Sequence, residues 1–388
     1  MVGTVVLSSL LVMGGCKQEE TVETGAIPGA VPQTIKIGLY TAMTGSLAPY
    51  GQSTRSGMLM AIDEVNAVGG VQGKRLQLIT EDNAGKPEQS VTVVQKLISS
   101  DNVLAILGEV ASSNSLAAAP LCQKAKVPMI TPISTSPEVT KKGDYIFRTC
   151  FIDPFQGTIG ARFAAKQLKA KTVAILVDNK SDYSRGLARF FEQEFNKTGK
   201  VVATFYYSAG DGDFRVQLTA IKAKKPDVLF IPGYYTEVSL IALQARQLGL
   251  KQPLLGGDAW DSPKLVEIGK NAVQGAYFST HYAPASKEKR VQDFVAAYKK
   301  KYNGTTPDSL AALGYDAAQM LVAAIKKSGS TTTSENSRQK LRDALAQTTN
   351  FPGVTGDITL DKDRNAVKPA VMLQVRGKKF EYVSTVKP

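Results

Sequence analysis

The sequence predicts an α/β fold of two doubly wound lobes joined by a hinge. Three observations lead there. From Thr34 onward, short apolar runs alternate with amphipathic stretches of helical period, the pattern of βαβ units in a parallel sheet. That alternation breaks near residue 150 and restarts at Thr172, and the chain is 388 residues long. A single hydrophobic core rarely serves so many residues.

The elements follow in order. The first series offers strands at Ile35–Tyr40, Leu76–Glu81 and Val103–Leu107. Helical segments lie between them. Arg55–Val68 aligns Met58, Ile62 and Val65, and Glu88–Ser99 aligns Val91, Val94, Gln95 and Ile98; these spacings have the helical period and not the strand period. A break at Asp153-Pro154 separates the second series, with strands at Thr172–Asp178, Val201–Tyr206, Asp227–Pro232 and Ala276–Thr280. Its helices include Gly186–Lys197, which groups Leu187, Phe190, Phe191 and Phe195, and Val238–Gln247. After about residue 281 the pattern changes to long helices, Lys287–Tyr302 and Ser309–Lys327, then strands Val354–Leu360 and Ala370–Val375. A chain that ends this way returns to its first lobe. The expected division is residues 34–152 plus 281–357 for lobe 1 and 153–280 plus 358–388 for lobe 2. A ligand then belongs in the crevice at the strands' carboxyl ends. The alternative is a single Rossmann-type enzyme with a helical appendage.

The N-terminus reads separately. Residues 1–15 form a short apolar run ending Met13-Gly14-Gly15 before Cys16. A membrane-spanning helix needs about 20 residues, so the segment reads as a secretory signal peptide. Small residues directly before a cysteine resemble a bacterial lipobox, which makes Cys16 the expected lipidation site and 16–33 a flexible tether. Met13 stands where Leu is usual, and no Lys or Arg precedes the apolar run. Cys122 and Cys150 remain; they read as buried thiols, with a disulfide as the alternative.

Composition excludes more than it assigns. The net charge of +13 comes from scattered Lys and Arg without an arginine-rich run, so it reads as solvated surface and not as a nucleic-acid interface. The sole histidine is His281, and no Gly-x-Ser-x-Gly elbow, Walker loop, or His/Cys cluster is present in the sequence. Nucleophilic, phosphate and zinc chemistry lack their usual parts, so neither catalysis nor a cofactor is expected. Asp361-Lys-Asp363-Arg-Asn365 copies the start of a calcium loop, but Ala366 and Met372 stand where Gly and Glu are required; a charged turn is expected.

An ordered series of short segments adds a resemblance. It runs through Tyr40-Thr-Ala-Met-Thr-Gly45, Tyr50-Gly51, Ala67-Val-Gly-Gly-Val-Gln-Gly73, Asp82 and Gly108–Ser115. It continues through Pro128-Met-Ile-Thr-Pro132, Asp153-Pro-Phe-Gln-Gly157, Asp178–Tyr183, Gly233-Tyr234 and Gly256-Gly-Asp258. From about residue 34 to 376 the chain resembles the branched-chain amino-acid-binding proteins of ABC importers, which have the type I periplasmic binding protein fold. The cysteines that form a disulfide in one such protein are here Ala84 and Ala111.

The resemblance implies a site. Ser112 falls where the family holds the ligand's α-carboxylate, Thr135 takes part in the same contact, and the Ile133 carbonyl lies nearby. From the residues alone, Ser112-Ser113-Asn114-Ser115 could equally cap the helix that follows. Asp258 falls where an acidic residue meets the ligand's ammonium, a buried cation needing an anionic partner. Tyr50, Tyr183 and Tyr234 match aromatic positions of the cleft, with Val110 and Leu310 at the side-chain pocket. Trp260 either closes over the ligand or packs in its loop. The implied protein is an extracytoplasmic, lipid-anchored monomer that delivers an amino acid to a membrane permease; a ligand sensor of the same fold, or a binder of another small amide or carboxylate, is the alternative.

Overall fold

The computed structural model describes residues 34–388. The signal peptide, Cys16 and the tether lie outside the described residues. Strands β1 (Thr34–Thr41), β2 (Arg75–Asp82), β3 (Ala105–Leu107), β4 (Met129–Thr131) and β5 (Ile146–Arg148) build the first sheet, in the order β2-β1-β3-β4-β5 and parallel throughout. Helices α1 (Ala48–Ala67), α2 (Pro87–Ser99) and α3 (Ser112–Lys124) connect them. The second series runs α4 (Asp153–Lys166), β6 (Thr172–Asp178), α5 (Asp182–Phe195), β7 (Lys200–Tyr207), α6 (Arg215–Lys224) and β8 (Val228–Phe230). It continues through α7 (Tyr235–Gln247), β9 (Leu254–Gly256), α8 (Pro263–Gly269) and β10 (Tyr277–Thr280). Then come α9 (Lys289–Lys301), α10 (Ser309–Ser328), α11 (Glu335–Ala346), and strands β11 (Phe351–Gly353), β12 (Gly356–Leu360), β13 (Ala366–Val367), β14 (Ala370–Arg376) and β15 (Lys379–Val386). The second sheet has the order β15-β14-β10-β9-β8-β6-β7, with β14 and β15 joined antiparallel.

Both sheets are covered on both faces, which is why their central strands are continuous apolar runs. On the first sheet, Ile35, Ile37 and Leu39 pack with Met58, Ile62 and Val65 of α1 and Leu321 and Ile325 of α10. Val94, Leu97, Ala118 and Cys122 cover the other face. On the second, Phe191, Phe195 and Phe230 lie on one face, and Leu218, Ile241 and Leu265 on the other. Helices α1 and α10 meet almost backbone to backbone. A Cβ on Gly57 would stand 1.9 Å from the Ala311 carbonyl oxygen, and one on Gly314 2.3 Å from that of Thr54. Only glycine allows this approach.

The chain passes between the lobes after β5, after β10 and after β13, the last strand of a small antiparallel sheet β11-β12-β13. These three segments form the hinge. Four sequence expectations differ from the structure. The supposed break at Asp153-Pro154 is the first turn of α4, where the N–H that proline lacks has no helical partner to lose. Helix α2 buries Ser90, Val93, Val94 and Leu97 and leaves Val91 39% exposed; two apolar stripes one residue apart compete, and packing selects the other. Val354–Leu360 is not one strand, since β11 turns back into β12. Ile358, Leu360 and Ala366 belong to the first lobe's core, beyond the expected boundary at residue 357. Asp361–Asn365 is the turn between β12 and β13, its Asp361 Oδ1 accepting from the amides of Asp363 and Asn365 at 2.8 Å each. Cys122 and Cys150 are free and buried, and burial pushes both thiols up to about 12. Among the described residues no helix is long and apolar enough to cross a membrane.

Candidate functional site

The strands' carboxyl ends bring loops from both lobes around one small cavity. Tyr50, Val110, Ser112, Ile133, Thr135, Tyr183, Tyr234, Asp258 and Leu310 all line it, joined by Ala259, His281 and Ser309. All nine residues singled out in the sequence are therefore brought together.

One end is built by the first lobe. After β3 the chain turns through Val110 and enters α3, whose N-cap is Ala111 with no side-chain cap. Ser112 is the first helical residue, so its hydroxyl is not the helix's N-cap; it accepts from the Ser136 amide at 3.2 Å. The positive end of α3 thus opens toward the cavity with a hydroxyl beside it, a setting suited to an anion. Glu109 organises this loop from behind. Its carboxyl accepts from Asn83 Nδ2 at 3.0 Å and from the Ala111 amide, and its carbonyl accepts from Thr131 Oγ1 at 2.6 Å. Burial pushes the Glu109 carboxyl up to about 7, against the pull of these bonds.

The opposite end carries acidic groups. Asp258 follows β9 and the glycine pair, and it is 6% exposed. Gln156 Nε2 donates to its Oδ1 at 2.9 Å, and His281 Nε2 lies 3.1 Å from its Oδ2. Gln156 also donates to Ser279 Oγ at 3.0 Å. Gly257 lets the backbone pass under this cluster, because a Cβ there would stand 2.3 Å from the Tyr183 hydroxyl. Asp153 is fully buried nearby, and burial pushes its carboxyl up to about 8, with Asp258 adding to the shift. Among the described residues neither Asp153 oxygen nor the Tyr183 hydroxyl makes a hydrogen bond of ordinary geometry.

Between the two ends the wall is aromatic and aliphatic. Tyr234 lies 6.2 Å from Tyr50 and 5.6 Å from Tyr183, ring centre to ring centre. Val110, Ile133 and Leu310 complete it. The cleft is closed. Tyr50 donates across it to the Ala259 carbonyl, Tyr235 donates to the Ser46 carbonyl at 2.7 Å, and Ser113 donates to Asp182 Oδ2 at 2.8 Å.

Trp260 resolves in favour of loop packing: it is fully buried, donates to the Ile231 carbonyl at 3.1 Å and lies over Gly256. Gln156 and His281 gain their roles only from the structure. Gln156 sits three residues after Asp153 on one helical face, a spacing that could flag it; a lone histidine after a strand carries no such signal. Among the described residues no His, Cys, Asp and Glu group could hold a metal ion.

Two sheets, one parallel and one mixed, with a lined cavity between the carboxyl ends of their parallel strands define a bilobal binding protein. The chain belongs to the periplasmic binding protein family, whose match spans residues 34–379. It is 33% identical over 336 residues to the Leu/Ile/Val-binding protein BraC3 of Rhizobium johnstonii, covering 84% of this chain and 89% of that one. Among solved structures it is similar to the leucine binding protein LivK from Thermotoga maritima, with 39% identity and TM-score 0.87, covering 92% and 99% of the two chains. It is also similar to the branched-chain amino acid transporter substrate binding protein LivJ from Streptococcus pneumoniae in complex with isoleucine. There the identity is 35% and the TM-score 0.84, over 92% and 100% of the chains. LivJ is a transporter's substrate binding protein, and periplasmic binding proteins work outside the cytoplasm.

Proposed function

We propose that the protein is the receptor of an ABC importer and captures a zwitterionic amino acid with an aliphatic side chain. One observation carries the reading: a single small cavity has a helix N-terminus with Ser112 at one end and the buried carboxylate of Asp258 at the other. Ser112 and Thr135 hold the α-carboxylate, with the Ile133 carbonyl beside them, and Asp258 takes the ammonium. Tyr50, Tyr183, Tyr234, Val110 and Leu310 enclose the side chain. The relatives' names, which include leucine, isoleucine and valine, agree with that apolar lining.

We take the first lobe as residues 34–148 plus 289–367 and the second as 153–280 plus 370–388, following sheet and core membership. Ligand closes them about the three connecting segments, and the closed monomer docks on a membrane permease without catalysing a reaction. A lipid on Cys16 keeps it at the membrane surface, where tethering raises its effective concentration; partition of a Cys16→Ser variant into the aqueous phase of a detergent extract, against wild type in the detergent phase, tests that anchor.

Calorimetry tests the ligand class. Leucine, isoleucine or valine should bind far more tightly than 4-methylpentanoate or benzoate, which have a carboxylate and no ammonium. Tight binding of benzoate with no binding of the three amino acids would overturn the reading.

A further inference from the structure

His281 is the chain's sole histidine and stands directly after β10, in the second connection between the lobes. It is 2% exposed, lines the cavity, and places Nε2 3.1 Å from Asp258 Oδ2. Its ring stacks on Phe151 at 3.7 Å between centres and 25° between planes. Phe151 lies between β5 and α4, in the first connection. The group that meets the ligand's ammonium is therefore bonded to one hinge segment and braced on another.

The geometry points to His281 as a positioning residue for ligand charge: its Nε2–H, held from the hinge, fixes the Asp258 carboxylate so that its free lone pairs face the ligand's ammonium. This rests on the amino-acid reading above. An ionised carboxylate only accepts hydrogen bonds, so Nε2 must carry the hydrogen. Gln156 occupies the other oxygen, and the two donors together set the plane of the carboxylate. Among the described residues His281 Nδ1 has no hydrogen-bond partner, as fits a neutral ring with its hydrogen on Nε2. Burial lowers the imidazole below the usual histidine range; Asp258 pulls the other way, and Lys368 adds to the lowering. Asp153 faces Asp258 from α4. Neutrality matters here, because an imidazolium at this position would compete with the ligand's ammonium for the same carboxylate.

Two substitutions and one spectrum test the role. His281→Phe keeps the stack on Phe151 and removes the donor; His281→Gln restores a donor at similar reach. The Phe variant should melt near wild type and bind leucine at least about tenfold more weakly, the scale of a hydrogen bond to a charged group, while its weak binding of 4-methylpentanoate barely changes. The Gln variant should stay within about threefold of wild type. Equal losses for both ligands, or no loss for leucine, would overturn the positioning role. Wild-type protein labelled with ¹⁵N-histidine and purified without a histidine tag gives signals from this ring alone. They should show hydrogen on Nε2 at pH 7 and a ring still neutral at about pH 6, where a free histidine is mostly charged. A charged ring or an Nδ1–H tautomer at pH 7 overturns the proposal even if the Phe variant does not fold. Asp258→Asn separates the two levels. If that variant binds leucine normally, the amino-acid orientation falls and this inference with it; if it fails while His281→Phe binds normally, only the positioning role falls.

Discussion

Asp258→Asn removes one charge from the cavity while keeping the side chain's size. The position is 6% exposed, so an ammonium bound there would be cut off from water together with its carboxylate. Removing one partner of such a pair costs about 2–5 kcal/mol, because the remaining charge stays buried without compensation. Leucine affinity should therefore fall by about thirtyfold to a few thousandfold. The free protein should tolerate the change. The introduced carboxamide still accepts from Gln156 through its oxygen. Its nitrogen can donate one hydrogen to His281 Nε2 once that ring moves its own hydrogen to Nδ1. The second carboxamide hydrogen is left to the cavity that this residue lines, and the Nδ1–H stays buried without a partner at a cost of about 1–3 kcal/mol. Melting should drop by no more than several degrees. Calorimetry on wild type and variant, each with leucine and with 4-methylpentanoate, completes a cycle in which carboxylate and ammonium are removed separately and together. The coupling between them should be at least about 2 kcal/mol. A variant that binds leucine within about threefold of wild type would refute the placement of the ammonium.

Three further outcomes follow from the structure. Ser112→Ala and Thr135→Ala should each weaken leucine binding by about 1–3 kcal/mol in calorimetry, less than the charge change, because the N–H groups at the start of α3 remain. Glu109, held at about 7 against 4.5 for an ordinary glutamate, keeps a proton that the unfolded chain releases. Stability should fall as pH rises between those values, by up to about 3 kcal/mol in total, and Glu109→Gln should flatten that part of the profile in denaturant titrations. Gly57→Ala puts a methyl 1.9 Å from the Ala311 carbonyl, so α1 and α10 must separate; a loss of about 1–3 kcal/mol in unfolding free energy is expected.

Much of this is legible in the sequence because the strongest signals in an α/β chain are periodic. Ile35, Ile37 and Leu39 sit in a strand covered on both faces, and Met58, Ile62 and Val65 repeat at helical spacing; either pattern survives without knowing the partner. Strands β4, β5 and β9 have three residues each in apolar runs too short to stand out; β3 and β8 are as short but lie in the longer apolar runs 103–107 and 228–231, which the sequence shows. The face of α2 is ambiguous because Val91 and Val93 offer rival stripes that only tertiary packing decides. The site is legible to the extent that an ordered family pattern names its residues. The alternative that Ser112 merely caps its helix cannot be rejected from sequence alone, since it turns on Ala111 being the N-cap. The contacts around Asp258 are invisible in principle: Gln156 lies 102 residues before it and His281 23 residues after it, and only folding brings them to one carboxylate.

The orientation of the bound ligand tests the central claim most directly. A crystal structure of the protein with leucine should place the ammonium nitrogen within about 3 Å of an Asp258 carboxylate oxygen and the ligand's carboxylate on Ser112 and Thr135. The isobutyl group should lie among Tyr50, Tyr234, Val110 and Leu310. Leucine bound with its carboxylate toward Asp258, or bound outside the cleft between the lobes, would contradict the account.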